Sequence, residues 1–165
     1  MENLEATVQE GDVICRLGDR IWSLYFKGLS HRDKRFSHLG IIHFSDNDIM
    51  VINAEGVYWE GRDKVSSDSL QHFIKPAGMV GVYRLPGVNG SKISEEALKY
   101  IDRPFDWQFD LYDHEKIFCT ELLYAALEET APDIELEIIN KFGRDIVPLE
   151  AISASPQFIE VLFAE

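Results

Sequence analysis

Arg35-Phe-Ser-His38-Leu-Gly-Ile-Ile-His43-Phe44 is the stretch from which the rest of the chain can be read. His38 opens a run of β-type residues, Leu39 to Phe44. Polar Ser45-Asp46-Asn47 follows, then a second apolar run from Ile49 to Ala54. Two such runs about a short polar link read as a β-hairpin, although the turn lacks the favoured Asn-Gly pair. Side chains alternate faces along a strand, so His38 and His43 point to opposite faces and are no metal-ligand pair. Asn53 and Glu55 share one face of the second strand. Pairing of 44 with 47 sets His38 opposite Asn53, and pairing of 45 with 48 sets it opposite Glu55. Either register brings a polar partner to about 5 Å between Cβ atoms. Such a partner can hold the tautomer of an imidazole base. A slip of one residue would place Ala54 there instead. Against this stands the plainer reading of His38 as a structural or solvated histidine at a strand start.

Downstream lies Asp110-Leu-Tyr-Asp-His-Glu-Lys-Ile-Phe-Cys119-Thr-Glu-Leu-Leu-Tyr-Ala-Ala-Leu127. Leu122, Leu123, Ala126 and Leu127 recur at helical spacing, which predicts a helix to about Glu129 with Cys119 at its N-terminus. Unpaired N–H groups and the helix dipole there favour a thiolate, the nucleophilic form of cysteine. The alternative is that a free cysteine is a small buried hydrophobe. Cys15, in the apolar run Asp12 to Leu17, is read as core.

The remaining pattern predicts strands over Val13–Leu17, Met79–Leu85 and Gln157–Phe163, and a strand or turn at Val57-Tyr-Trp-Glu. A short helix is expected at Ile21–Phe26, and a short helix or turn at Ser69–Phe73. Ser94, followed by Glu95 and Glu96, is the expected N-cap of a helix to about Ile101, with Pro104 beyond it. Strands and helices segregate. The fold class is α+β, an antiparallel sheet or small barrel with helices packed on one side.

With 45% hydrophobic and 12% aromatic residues, 165 residues suffice for one core, so residues 1–165 are expected to form a single domain, with 1–10 as a flexible polar lead. The net charge of −13, from 16 basic and 29 acidic residues, excludes a nucleic-acid partner and stable membrane association. It serves solubility, or a preference for an amine-bearing substrate. The one basic cluster, His31-Arg32-Asp33-Lys34-Arg35, binds a substrate carboxylate or phosphate at the site rim, or is a solvated loop. Two cysteines and an acidic start without an apolar leader point to a reducing, cytoplasmic setting. No Cys-x-x-Cys or His-Glu-x-x-His spacing calls for zinc, so neither metal nor cofactor is expected.

Five stretches in this order resemble the circularly permuted papain-like cysteine hydrolases, relatives of NlpC-type cell-wall amidases. They are Gly11-Asp12-Val-Ile-Cys-Arg16, Phe36-Ser37-His38-Leu39-Gly40-Ile41, Val51-Ile-Asn53-Ala54-Glu-Gly-Val57, Arg103-Pro-Phe-Asp106 leading through Asp113 to Phe118-Cys119-Thr120-Glu121-Leu122-Leu123-Tyr124, and Val147-Pro148-Leu149 through Phe163. The resemblance runs over nearly the whole chain from about residue 10. It implies a permuted papain-like fold with Cys119 as nucleophile and His38 as general base. The family's third residue is commonly a Glu just before Ala. Here Asn53 stands at that place, with Glu55 as its rival. Asp12 and Asp106 match family positions and are read as structural.

The activity implied is that of a cysteine peptidase or amidase acting on a small peptide or amide, such as a cell-wall-type peptide or a lysine amide, through a thiol acyl-enzyme. The Cys119 N–H is the natural oxyanion donor. Tyr124, Ser37 and Trp107 are the candidate substrate contacts, Tyr124 with a core role as its alternative. Two other classes stay open: a lipid-acting acyltransferase or phospholipase of the lecithin–retinol acyltransferase type, and a non-catalytic binding module on the same fold. The oligomeric state is not readable.

Overall fold

The structure, a computed structural model, describes residues 2–18, 21–57 and 63–165, except the side chains of residues 2, 21, 22 and 25. In chain order the elements are α1 (Glu2–Thr7), β1 (Val13–Gly18), α2 (Ile21–Leu29), β2 (His38–Ser45), β3 (Asp48–Glu55), β4 (Lys64–Ser69), α3 (Leu70–Ile74) and β5 (Ala77–Arg84). Then follow α4 (Gly90–Leu98), α5 (Cys119–Thr130), β6 (Ile139–Lys141), β7 (Arg144–Ile146), α6 (Glu150–Ser153) and β8 (Ile159–Ala164). Six strands form one open antiparallel sheet in the order β4-β3-β2-β1-β5-β8, and β6 and β7 make a separate small ribbon. The fold is the α+β class expected, and the sheet has two edges rather than closing into a barrel.

Alternation along the strands divides the apolar residues between two clusters. Val13, Cys15, Leu39, Ile41, Ile52, Ala54 and Tyr83 pack with Ile93 and Ala97 of α4 and with Leu122, Leu123 and Ala126 of α5. On the opposite face Ile14, Ile42, Val51, Val80 and Val82 meet Leu70 and Phe73 of α3 and Leu4 and Val8 at the chain's start. Burying α5 along this sheet holds Cys119 against it, because a helix anchored by several large apolar side chains cannot slide by a residue.

Two expectations differ from the structure, one strand was not expected, and one expectation falls outside the described residues. Residues 2–7, expected as a flexible lead, form α1. Leu4 within α1 and Val8 just past its end, whose N–H donates to Leu4 O at 3.1 Å, are buried, each worth roughly 1.5–3 kcal/mol. Ser94 does not cap α4. Asn89 does, accepting the Ser91 N–H at 3.1 Å, and Ser94 lies buried inside the helix with its hydroxyl donating to Ser91 O at 3.1 Å. A serine that bonds back to the preceding turn is compatible with a helix interior. β4 was not expected: Lys-Val-Ser-Ser-Asp-Ser is an edge strand with only Val65 buried, and it carries almost no apolar pattern. The strand or turn expected at Val57-Tyr-Trp-Glu falls, for residues 58–60, outside the described residues. Among the described residues no helix is long and apolar enough to cross a membrane.

Candidate active site

The site begins with strand register. β2 pairs with β3 from Ser45↔Asp48 to Ile41↔Ile52, the second of the two expected registers, and its continuation sets His38 across from Glu55. On the other side β1 places Arg16 across from His38. Arg16, His38 and Glu55 therefore form one row on one face, and Arg16 Nη2 reaches Glu55 Oε1 at 2.7 Å. The imidazole does not bond straight across the row. Its Nε2 lies 3.1 Å from Oδ1 of Asn53, the diagonal neighbour. Gly40, between them on β2, makes the diagonal possible. A Cβ there would lie 2.4 Å from Val51 Cγ1 and 3.2 Å from Asn53 Cβ.

The tautomer follows from the next bond outward. Asn53, fully buried, donates through Nδ2 to Asp68 Oδ2 at 2.9 Å. Its Oδ1 is thus the atom turned to His38, so Nε2–H donates and Nδ1 keeps its lone pair. Phe73 covers the group, its ring centroid 5.6 Å from that of His38 and 4.8 Å from the Arg16 guanidinium carbon. Desolvation, and then the Arg16 charge, push the His38 pKa down to about 4, against the opposing pull of Glu55, Asn53 and Asp68.

The helix side is built differently. Phe118 is the N-cap in extended conformation and Cys119 the first helical residue. The first intrahelical bond is Leu122 N–H to Phe118 O at 3.1 Å, so the preceding N–H groups have no partner within the helix. Those of Cys119 and Thr120 serve the Cys119 sulfur, as does that of Leu39, which lies past the last β2–β3 pair. Burial nevertheless outweighs these donors and the Arg16 charge and raises the Cys119 thiol to about 11. Burial thus works against the thiolate expected at the helix start. Desolvation opposes the helix-terminus effect at Cys119 and the charged form at His38, so it favours the neutral form of each. Two residues on, the fully buried Glu121 accepts the Phe118 N–H at 3.0 Å and meets His114 Nδ1 at 2.9 Å. Burial lifts Glu121 to about 7 although His114 and the Phe118 N–H oppose it.

Cys119 and His38 open into one cavity of about 270 Å³. Arg16, Ser23, Ser37 and Glu55 add polar groups to its lining, and Phe26, Val57, Phe105, Trp107 and Phe109 supply most of its apolar wall. Ser37 Oγ accepts the Gly18 N–H at 3.0 Å. Buried Asp106 organises the aromatic wall, accepting the N–H groups of Gln108 at 2.8 Å and Asp110 at 2.6 Å. Phe109 takes a left-handed φ of 55° there. Tyr124 is absent from the lining, which corrects its expected place. Five residues along a helix turn it about 140° from Cys119, and its ring faces His114 at 6.4 Å. The cluster 31–35 is likewise absent from the lining. Arg35 pairs with Asp33 at 2.9 Å and Glu160 at 2.9 Å, and Arg32 pairs with Glu137. Asp12 is structural, held by Arg84 Nη2 at 2.7 Å. Both cysteines are free thiols.

Three participants escaped the sequence reading. Arg16 carried a signal, a lone charge inside an apolar strand. Asp68 sat in an unrecognised strand, and the Glu121–His114 pair needs the loop before α5 to be folded. Among the described residues no three His, Cys, Asp or Glu side chains are grouped to hold a metal ion.

The family model of permuted papain-like amidase enzymes, YaeF/YiiX, C92, matches residues 7–158. The crystal structure of metalloprotein yiiX from Escherichia coli O157:H7 aligns at a TM-score of 0.78 with 18% identity, covering 94% of this chain and 97% of that one. At that identity the likeness is one of fold. No curated protein is significantly similar in sequence. By a family match that spans nearly all of its elements, the chain belongs to the permuted papain-like amidases of the YaeF/YiiX, C92 family, a family of cysteine hydrolases.

Proposed function

We propose that the protein cleaves an amide or peptide bond through a thiol acyl-enzyme, with Cys119 as nucleophile, His38 as general base and Asn53 as the orienting residue. One observation carries this reading: the Asn53 bond to His38 Nε2 at 3.1 Å, at a cavity that Cys119 also lines. It leaves Nδ1 as the base. As the sulfur attacks the carbonyl, its proton passes to Nδ1, and the resulting oxyanion takes the N–H of Cys119. The imidazolium returns the proton to the leaving amine, and water then releases the acyl group by the reverse sequence. Because thiol and imidazole both start neutral, proton transfer accompanies attack instead of preceding it.

The substrate class follows the cavity. The net charge of −13 favours a substrate of this class that carries a free amine, such as a cell-wall-type peptide or lysine amide. The apolar wall of Phe26, Val57, Phe105, Trp107 and Phe109 favours a second reading, in which the acyl part is a lipid chain and the reaction that of a lecithin–retinol acyltransferase-type enzyme. Two free thiols support a cytoplasmic setting. The deciding experiment offers a muropeptide-type peptide, an Nε-acyl-lysine and phospholipid vesicles, and reads the mass on Cys119 in wild type and Cys119→Ser. An acyl adduct from the amides supports the amidase, and one from vesicles alone supports the lipid reading. No adduct from any, with reversible binding retained, supports a binding module.

A further inference from the structure

We propose that Asp68 is a positioning residue of this site: its carboxylate locks the Asn53 amide and supplies, one hydrogen bond further out, the negative charge that the third position itself lacks. The inference rests on the reading of His38 as general base.

The geometry separates two jobs. An amide can present oxygen or nitrogen to a neighbour with almost the same shape. A carboxylate only accepts, so Asp68 Oδ2, 2.9 Å from Asn53 Nδ2, holds the NH₂ and leaves Oδ1 for the imidazole. Ser66, directly across from Asn53 in the β3–β4 register, donates its hydroxyl to the same Oδ2 at 3.1 Å. Val51 O, at 3.4 Å from Asn53 Nδ2, adds a second acceptor on the same side of the amide. All these partners require Asn53 to point one way.

The second job is charge. When His38 takes a proton, the imidazolium meets the Asn53 dipole and, behind it, the Asp68 carboxylate. Hydrogen bonds in such a chain polarise one another where water is excluded. A Glu at position 53 would touch the imidazole directly and hold it charged at rest. With Asn53 between them, the imidazole is oriented yet stays neutral until the reaction charges it.

The test uses ¹⁵N NMR of the His38 ring and the pH dependence of turnover in wild type, Asp68→Asn and the swap Asn53→Asp/Asp68→Asn. Asp68→Asn can present its own NH₂, so the Asn53 amide is free to turn. We expect mixed His38 tautomers, a titration midpoint moved to lower pH, and turnover down about tenfold, the scale of one hydrogen bond to a charged group. The swap puts a carboxylate against the imidazole. It should restore a single Nε2–H tautomer in the neutral ring and move the midpoint above the wild-type value, with turnover recovering only at pH values above that midpoint. An unchanged tautomer and midpoint in Asp68→Asn overturns the proposal, even if activity falls, since a merely structural role would lower stability alone. Should Asp68→Asn fail to fold, a swap variant with an unmoved midpoint overturns it equally. The NMR arm needs no substrate, so it decides the role of Asp68 whether or not the hydrolase reading survives.

Discussion

His38 and His114 are two imidazoles with similar bonds and opposite fates. His38 meets an amide, Asn53, at 3.1 Å, and His114 meets a carboxylate, Glu121, at 2.9 Å and a second, Glu128, at 3.3 Å. His38 is pushed down to about 4 by desolvation and the Arg16 charge, whereas Glu121, then Glu128, pull His114 up above its ordinary value. Burial and neighbouring charge, not bond distance, set the outcome: desolvation and Arg16 dominate at His38, and the two carboxylates outweigh desolvation at His114. An uncharged partner leaves an imidazole ready to accept a proton. Carboxylate partners favour its charged form and tie the imidazole to the start of α5. The same side chain thus serves the reaction on the strand side and the architecture on the helix side.

The sharpest way to break this division is to remove each histidine in turn. Cys119→Ser and His38→Ala should lower turnover by at least about 10³-fold while the melting temperature stays near wild type. His114→Ala should leave turnover per folded molecule within about threefold. It should cost about 3 kcal/mol of stability, because it strips the partner from a buried carboxylate. Denaturant titration beside active-site counting separates the two. A His114→Ala protein that folds normally yet turns nothing over would assign His114 to the chemistry.

The two histidines also predict opposite pH limbs. His38 has a folded value of about 4 against an ordinary 6.5, so as pH falls the unfolded chain takes up the proton first. Stability is lost as pH falls from about 6.5 to 4, and turnover falls through the lower value because the base becomes charged. His114 and Glu121 are both raised, Glu121 to about 7 from an ordinary 4.5. Their contribution is full at low pH and is lost as pH rises through those folded values. Glu121→Gln should remove the loss of stability that Glu121 contributes as pH rises from about 4.5 to 7, and so steepen the net rise in stability over the range in which His38 acts. Alkylation adds a third readout. Cys119 should label slowly at pH 6 and faster only as pH climbs toward about 11. Fast labelling at pH 6 that depends on His38 would instead mean a resting thiolate–imidazolium pair.

A smaller effect probes the geometry that sets His38 apart. Gly40→Ala would place a Cβ 2.4 Å from Val51 Cγ1 and 3.0 Å from Ile52 O. β3 must shift, which should stretch the Asn53 bond, lower turnover about tenfold and cost about 1–3 kcal/mol. Gly78→Ala is the control, since a Cβ there meets nothing within 4 Å. Equal losses at both glycines would show that the diagonal bond does not matter.

How far the sequence carried this picture differs from element to element. The 38–55 hairpin was legible because its alternation is strong, and it narrowed the register to two choices that both gave His38 a polar neighbour. It could not choose between Asn53 and Glu55, because a straight-across reading of register ignores diagonal contacts opened by a glycine. Cys119 at a helix start was legible from helical spacing. Its protonation was not, because the dipole argument is local and desolvation is set by everything packed around it. β4, and Asp68 with it, was hidden by a polar edge-strand composition. Asn89 was overlooked as the α4 cap because Ser94 with its two glutamates imitates a first turn.

The smallest catalytic effect bears on that unresolved pair. Glu55 lies straight across from His38 and carries the charge a third residue commonly has, yet its Oε1 is turned to Arg16 at 2.7 Å. Glu55→Gln keeps the shape and removes the charge. Arg16 then acts on His38 with less opposition, so the acid limb of turnover should move to still lower pH, with turnover itself changed by about threefold or less. Asn53→Ala removes the acceptor for Nε2–H, frees the tautomer and should cost about 10²-fold, within the range of general-base catalysis itself. Steady-state turnover of the two variants, with His38 titrated in each, ranks them. A larger loss in Glu55→Gln than in Asn53→Ala would move the orienting role to Glu55. It would also make Arg16 a partner that must release Glu55 before the reaction can begin.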